Sequence, residues 1–168
     1  EQVEHLALAG NNIVLQAPTG TGKTRAAMMP ALKGFEGDSA HYPQKMIYGV
    51  PMRVLATSFM EEFSKFPDEK SKWRKNKWYP SIQTGNRPED PQFEGRMVFA
   101  TVDQMLASFL NIPFGLPRGR DNINAGAFIG SYLVFDEFHL YPSRQMMLTV
   151  LAMLKMLAGI SRFTLMTA

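Results

Sequence analysis

The sequence predicts an α/β domain: a mostly parallel sheet with helices on both faces. Three observations predict it. Short apolar runs alternate with helix-period segments along the chain. Those runs, among them IVLQA, MIYGV and YLVF, lack the polar–apolar alternation of half-exposed strands, as strands covered on both faces do. The first run also passes directly into a glycine-rich turn that opens a helix.

Taken in order, Gln2 to Ala9 predicts a short helix with Leu6 and Ala9 toward a core, ended by Gly10, Asn11 and Asn12. Ile13 to Ala17 is the first strand, and the helix after the turn runs through Ala26, Ala27 and Leu32. Residues 34–43 are polar and contain glycine, which marks a loop. Met46 to Val50 is a second strand, closed by Pro51. Leu55, Phe59 and Phe63 recur at four-residue steps and predict a helix from Arg53 to Phe66. Tyr79 to Thr84 reads as a strand, residues 85–95 as a loop, Met97 to Ala100 as a strand, and Thr101 to Leu110 as a helix with Met105, Leu106 and Phe109 on one side. Residues 111–130, rich in Gly, Pro and Asn, predict a long irregular connection. Ser131 to Phe135 is the next strand. A helix then starts at Ser143, and its apolar residues between Met146 and Leu157 cover most of its circumference. Such a helix is buried on nearly all sides or packs on something outside this chain. Phe163 to Thr167 is the last strand.

The glycine-rich turn reads Ala17, Pro18, Thr19, Gly20, Thr21, Gly22, Lys23, Thr24. Backbone N–H groups can curl around a polyphosphate here, because Gly20 and Gly22 place no Cβ in the way. Lys23 reaches the β- and γ-phosphates, Thr24 can hold Mg²⁺, and the following helix aims its N-terminal dipole at the same anion. Ala17 stands where the full phosphate-loop pattern has glycine. A flexible turn is the competing interpretation, and the flanking strand and helix argue against it.

A second signal lies at Asp136 and Glu137, two adjacent carboxylates at the end of the apolar run YLVF, followed by Phe138 and His139. Ligands of open α/β sheets bind at the C-terminal ends of strands. Asp136 can hold Mg²⁺ through water, and Glu137 can orient and deprotonate a water for attack on a γ-phosphate. A zinc site at His139 is the weaker alternative, since His5 and His41 show no matching ligand spacing. Between residues 65 and 80, six cations are interleaved with Trp73, Trp78 and Tyr79. That composition suits single-strand binding; the plainer alternative is a solvated helix end whose tryptophans cap the core. Arg118 and Arg120 are either phosphate-backbone contacts or plain loop charges.

Bulk properties set wide bounds. The chain has 168 residues, 45% of them hydrophobic and 20% charged, which fits one ordinary globular domain. A net charge of +3 says little about partners. The absence of cysteine excludes disulfides and thiolate metal sites, and a cytoplasmic location is expected. The start EQVEHLALAGNN has neither a basic region nor a long apolar core, so no signal peptide is expected. The run from Met146 to Ile160 is too short and too interrupted to span a bilayer, and no membrane partner is expected. We expect a fragment, starting inside a helix and stopping at the end of a strand.

These residues resemble the first RecA-like domain of a superfamily two DExH helicase over nearly the whole chain, and that resemblance implies a RecA-like P-loop NTPase domain spanning residues 1–168. Ala17 to Thr24 matches the phosphate loop, and Gln2 is placed like the glutamine that reads adenine. Val50 to Ala56 (VPMRVLA) is similar to the P-T-R-E-L-A motif, with Met52 and Val54 departing. Thr84 and Gly85 resemble the threonine–glycine backbone contact. Thr101 and Gln104 lie in a stretch similar to A-T-P-x-x-[LM], with valine replacing proline. Asp136 to His139 is D-E-x-H, and Met166, Thr167, Ala168 resemble the start of the T-A-T or S-A-T motif that couples hydrolysis to strand movement. The resemblance thus implies nucleic-acid contacts at Arg53, Thr84, Gly85, Thr101 and Gln104, and coupling through His139, Thr167 and Ala168.

Within that superfamily QAPTGTGKT, ATVDQML and the NINAGAFIGS segment before LVFDEFH are most similar to the helicase of type I CRISPR-associated (Cas) interference systems. This implies an ATP- and Mg²⁺-dependent motor on single-stranded DNA, an RNA-guided surveillance complex as partner, and an HD nuclease in cis or on another subunit. Two alternatives stay open: a generic DExH helicase acting on RNA or duplex DNA, and a nucleotide-binding docking module without turnover. Superfamily two sites are completed by arginines from a second RecA-like domain, so this stretch alone is expected to be nearly inactive.

Overall fold

A computed structural model of the chain describes residues 11–35, 42–65, 80–112 and 121–168. The expected helix at Gln2 to Ala9, the adenine-reading role of Gln2, Arg118, Arg120 and nearly all of the basic–aromatic stretch lie outside the described residues.

The elements are β1 (Ile13–Gln16), α1 (Lys23–Phe35), β2 (Met46–Val50), α2 (Arg53–Ser64), β3 (Pro80–Gln83), β4 (Met97–Thr101), α3 (Val102–Phe109), α4 (Asp121–Gly126), β5 (Tyr132–Phe135), a 3-10 turn (Phe138–Leu140), α5 (Arg144–Met156) and β6 (Arg162–Thr167). The six strands form one sheet in the order β1-β6-β5-β2-β4-β3. Every neighbouring pair is parallel. The expected α/β architecture is therefore what the chain adopts.

The lack of alternation in the strands has its cause in two cores, one on each face. Met46, Tyr48 and Val50 of β2 and Tyr132 and Val134 of β5 pack under α1 and α2, with Ala27, Met28, Phe35, Ala56 and Phe63. Ile47, Leu133 and Phe135 point the other way, toward α3 and α5 and residues such as Met105, Val150, Met153 and Leu154. Both sets of side chains leave water, so both parities are apolar. The interior is tight: a Cβ on Gly49 would run into Met105 Sδ. Of the described strands only β1, at one end of the sheet, leaves a large apolar side chain in the open, Val14 at 70% exposure.

Three expectations need correction. Residues 121–126, expected to be irregular, form α4, and the fully buried Asn124 ties it down by donating from Nδ2 to Pro91 O at 3.1 Å. Helix α5 buries one stripe, Val150, Met153 and Leu154, and leaves Leu148, Leu151 and Met156 exposed. Its all-round apolar sequence does not make it an interior helix, because only one side meets the sheet. Helix α1 runs on to Phe35 across Pro30, whose missing N–H removes one helical hydrogen bond. The helix start expected at Ser143 is found there: Ser143 is the N-cap of α5 and accepts from Met146 N at 3.1 Å. Among the described residues no helix is long and apolar enough to cross a membrane.

Candidate functional site

The strand order decides the site. Because β6 is inserted between β1 and β5, the segments after β1 and β5 face each other across the end of β6. The glycine-rich turn leaves β1 and turns into α1 through Gly20 (φ 80°) and Gly22 (φ 84°), conformations that L side chains resist. Where a Cβ would sit on either glycine there is open space, so the turn forms a bare backbone cradle. Thr21 Oγ1 donates to Pro18 O at 2.7 Å and braces the turn from within. The start of the turn is tied to the sheet by Ala17 N donating to Thr167 O at 3.2 Å.

Lys23 does not extend into solvent. Its Nζ donates to that same Thr167 carbonyl at 3.1 Å and lies 3.7 Å from Glu137 Oε1, with the lysine side chain 6% exposed. Glu137 projects from a left-handed backbone (φ 45°, ψ 49°), a conformation that costs a non-glycine residue about 1–3 kcal/mol. Two hydrogen bonds hold it there: Glu137 N–H donates to Asp136 Oδ1, and Leu140 N–H donates to Glu137 O, both at 2.8 Å. The strained turn swings the Glu137 carboxylate toward Lys23 immediately after β5. Its second oxygen, Oε2, is buried without a hydrogen-bond partner among the described residues.

Asp136 is 5% exposed. Its Oδ2 accepts from the Tyr48 hydroxyl at 2.8 Å, and its backbone N–H donates to Gly49 O at 2.8 Å. Burial pushes its carboxyl above the usual carboxylate range; the hydrogen bonds from Tyr48 and the Glu137 N–H pull it back down. The Thr24 side chain lies beside the same hydroxyl. Sequence reasoning missed Tyr48. The one available signal was a lone polar-tipped ring in the buried run MIYGV, since a buried tyrosine hydroxyl needs a partner.

Lys23, Thr24, Asp136 and Glu137 are thus brought together, as the sequence leads one to expect. The donor set fits a magnesium–polyphosphate: a bare glycine cradle, the N–H groups of the first turn of α1, one ammonium, one hydroxyl, one buried carboxylate and one carboxylate oxygen without a hydrogen-bond partner among the described residues. His139, Thr167 and Ala168 also converge. His139 Nδ1 lies 3.2 Å from Thr167 Oγ1, accepts from Ala168 N at 3.4 Å, and stands 3.5 Å from Glu137 Oε2. The end of β6 therefore touches both Lys23 and the D-E-x-H turn.

The expected nucleic-acid residues divide into two groups. Arg53, at the exposed start of α2, donates from Nη1 to Asn86 Oδ1 at 2.9 Å. Its guanidinium lies over Gly85, where a Cβ would come within 3.2 Å of it. By contrast the side chains of Thr84, Thr101 and Gln104 are buried, with residue exposures of 2, 2 and 4%. Thr84 Oγ1 accepts from Arg87 N at 3.1 Å and builds the turn that presents Gly85. Gln104 accepts from Gln83 Nε2 at 3.4 Å, and Thr101 Oγ1 is buried without a partner among the described residues. Met52 occupies the N-cap of α2 without supplying a side-chain hydrogen bond, so the departure from threonine leaves this helix start uncapped.

Comparison with solved structures supports the same architecture. The DUF1998 helicase MrfA bound to DNA superposes with a TM-score of 0.72 at 18% identity, covering 99% of this chain and 23% of that one. The helicase Lhr of Mycobacterium smegmatis bound to ssDNA and AMP-PNP gives 0.67 at 15%, covering 99% and 22%. The Hef helicase domain of Pyrococcus furiosus gives 0.59 at 20%, covering 98% and 32%. The chain thus spans between a fifth and a third of the length of these structures. No curated protein matches it. The family model for DEAD/DEAH box helicases matches residues 1–168 in full. The chain belongs to the DEAD/DEAH box helicase family.

Proposed function

We propose that this chain carries the ATP-binding part of a helicase motor that couples ATP hydrolysis to movement on single-stranded DNA. DEAD/DEAH helicase domains use ATP, typically with Mg²⁺. One observation carries the proposal: the Lys23 ammonium and the Glu137 carboxylate stand 3.7 Å apart over the end of β6, beside Thr24 and Asp136. The glycine cradle and Lys23 bind the polyphosphate, and Lys23 exchanges the Thr167 carbonyl for phosphate oxygens. The Thr24 hydroxyl and the Asp136 carboxylate would hold Mg²⁺, which would neutralise charge on the phosphates. Glu137, released from Lys23, orients a water and takes its proton. His139, Thr167 and Ala168 sense the change, because Thr167 holds Lys23 through its carbonyl and meets His139 through its hydroxyl. Arg53 and the turn at Gly85 supply the contact to a nucleic-acid backbone.

Two neighbouring helicases, MrfA and Lhr, carry DNA and ssDNA in their structures, which favours DNA as the track. The finer assignment, to a CRISPR interference motor with a surveillance complex and an HD nuclease as partners, rests on QAPTGTGKT, ATVDQML and NINAGAFIGS alone. MrfA, Hef and Lhr are helicases of other kinds, so a DExH motor outside CRISPR has comparable support. The experiment is ATP hydrolysis by the full-length protein titrated with single-stranded DNA and with RNA. Greater stimulation by DNA is expected; greater stimulation by RNA would overturn the DNA assignment. Nucleotide binding with no stimulated turnover would leave only a docking module.

A further inference from the structure

Tyr48 is the one polar-tipped side chain on β2, which lies between β5 and β4 in the middle of the sheet. It is fully buried, and its ring is fixed against Phe59 (centroids 5.3 Å apart, planes at 76°) and Phe99 (5.8 Å, 57°). Its hydroxyl is therefore placed by packing on a rigid element. That hydroxyl donates to Oδ2 of Asp136, a residue assigned to Mg²⁺, at 2.8 Å.

The proton count fixes the direction of that bond. A phenol has one proton and two lone pairs, and an ionised carboxylate only accepts. The Tyr48 proton therefore goes to Asp136. Asp136, with Oδ2 held by Tyr48 and Oδ1 by the Glu137 N–H, cannot rotate without breaking a buried hydrogen bond. Mg²⁺ demands near-ideal octahedral geometry from few protein ligands, so ligands aimed in advance bind it better.

We propose that Tyr48 is a positioning residue for the magnesium–nucleotide, aiming the Asp136 carboxylate through the hydrogen bond to its Oδ2. This rests on the proposed ATP site and adds to it a third element: β2 aligns the carboxylate that follows β5.

The test uses the full-length protein and a fluorescent ADP analogue titrated with MgCl₂. Tyr48→Phe removes one oxygen and keeps the ring. The Mg²⁺ concentration for half-maximal nucleotide binding should rise about tenfold, the loss usual for an outer-shell partner. Binding in EDTA should stay unchanged. Phe59→Leu, which loosens the ring packing and spares the hydroxyl, should lower the melting temperature and leave the Mg²⁺ midpoint alone. As a check independent of any variant fold, 3-fluorotyrosine placed at position 48 should show a ¹⁹F shift on adding Mg²⁺ and ADP, and none with ADP in EDTA. An unmoved midpoint in Tyr48→Phe, or a ¹⁹F signal blind to Mg²⁺, would overturn the proposal while the ATP site stands. A wild-type protein showing no Mg²⁺-dependent nucleotide binding would overturn the site itself, and this proposal with it.

Discussion

Replacing Glu137 by glutamine keeps the side chain's shape and removes its charge, and the structure assigns opposite signs to the effects on binding and turnover. Without nucleotide, the Glu137 carboxylate stands 3.7 Å from Lys23 Nζ, with the two side chains 18% and 6% exposed. Two unit charges at that distance attract by about 4–5 kcal/mol at an effective dielectric constant of about 20. Desolvation offsets most of this, leaving a net value of about 1 kcal/mol. Nucleotide must displace that interaction to reach Lys23, so Glu137→Gln should bind ATP about fivefold more tightly. Turnover should fall about 10²- to 10⁴-fold, the usual contribution of a positioned general base, or about 3–5 kcal/mol in the barrier. Both are measured on the full-length protein, by equilibrium titration with a fluorescent ATP analogue and by phosphate release with saturating single-stranded DNA. Weaker nucleotide binding in the variant would refute the competition for Lys23. Turnover close to wild type would refute Glu137 as the base.

Arg53→Ala should weaken single-stranded DNA binding and lower the salt slope by about one, with ATP affinity in the absence of DNA unchanged; anisotropy titrations at several salt concentrations check it, and an unchanged slope would make Arg53 structural. Tyr132→Phe removes a buried hydroxyl that donates to Ala27 O at 2.9 Å and pairs with Thr164 Oγ1 at 2.7 Å. Urea unfolding of this domain should show a loss of about 1–3 kcal/mol, and no loss would mean that α1 is not anchored through this contact. Asp136→Asn should abolish Mg²⁺-dependent turnover and also change how stability varies with pH. Burial raises the folded-state pKa of Asp136, so its contribution to stability is full below the unfolded pKa and is lost as pH rises through the folded one. The uncharged variant should therefore gain on wild type at neutral pH, and paired melting curves should show that gain shrinking as pH falls. A gain that grew toward acid would contradict the shift.

What the sequence revealed and what it hid follow one rule. The turn from Ala17 to Thr24 and the Asp136–Glu137 pair were legible because each is local, with its chemistry written in consecutive residues. So was the buried character of β2, β4 and β5, since covering both faces of a sheet removes the polar parity. The strand order was not legible, because insertion of β6 between β1 and β5 is a pairing across about the whole chain. Tyr48 was hidden for the same reason: its partner Asp136 lies 88 positions away. The left-handed backbone at Glu137 is a strain no propensity favours, and two local hydrogen bonds, to Asp136 Oδ1 and from Leu140 N–H, hold it in a geometry that the residue types alone do not announce. Helix α4 escaped because Asn124 gains its place from Pro91 and not from neighbours in sequence. At α5 the apolar pattern indicated a helix without telling which sides would be covered. Thr84, Thr101 and Gln104 carried a motif's letters, yet their side chains point inward, a distinction that needs coordinates.

The most direct test of the central claim is ATP hydrolysis by the full-length protein, with and without single-stranded DNA, in wild type and Lys23→Ala. We predict that DNA raises the wild-type rate and that Lys23→Ala shows no hydrolysis under either condition. Stimulated hydrolysis that survives in Lys23→Ala would place the reaction elsewhere and contradict the account.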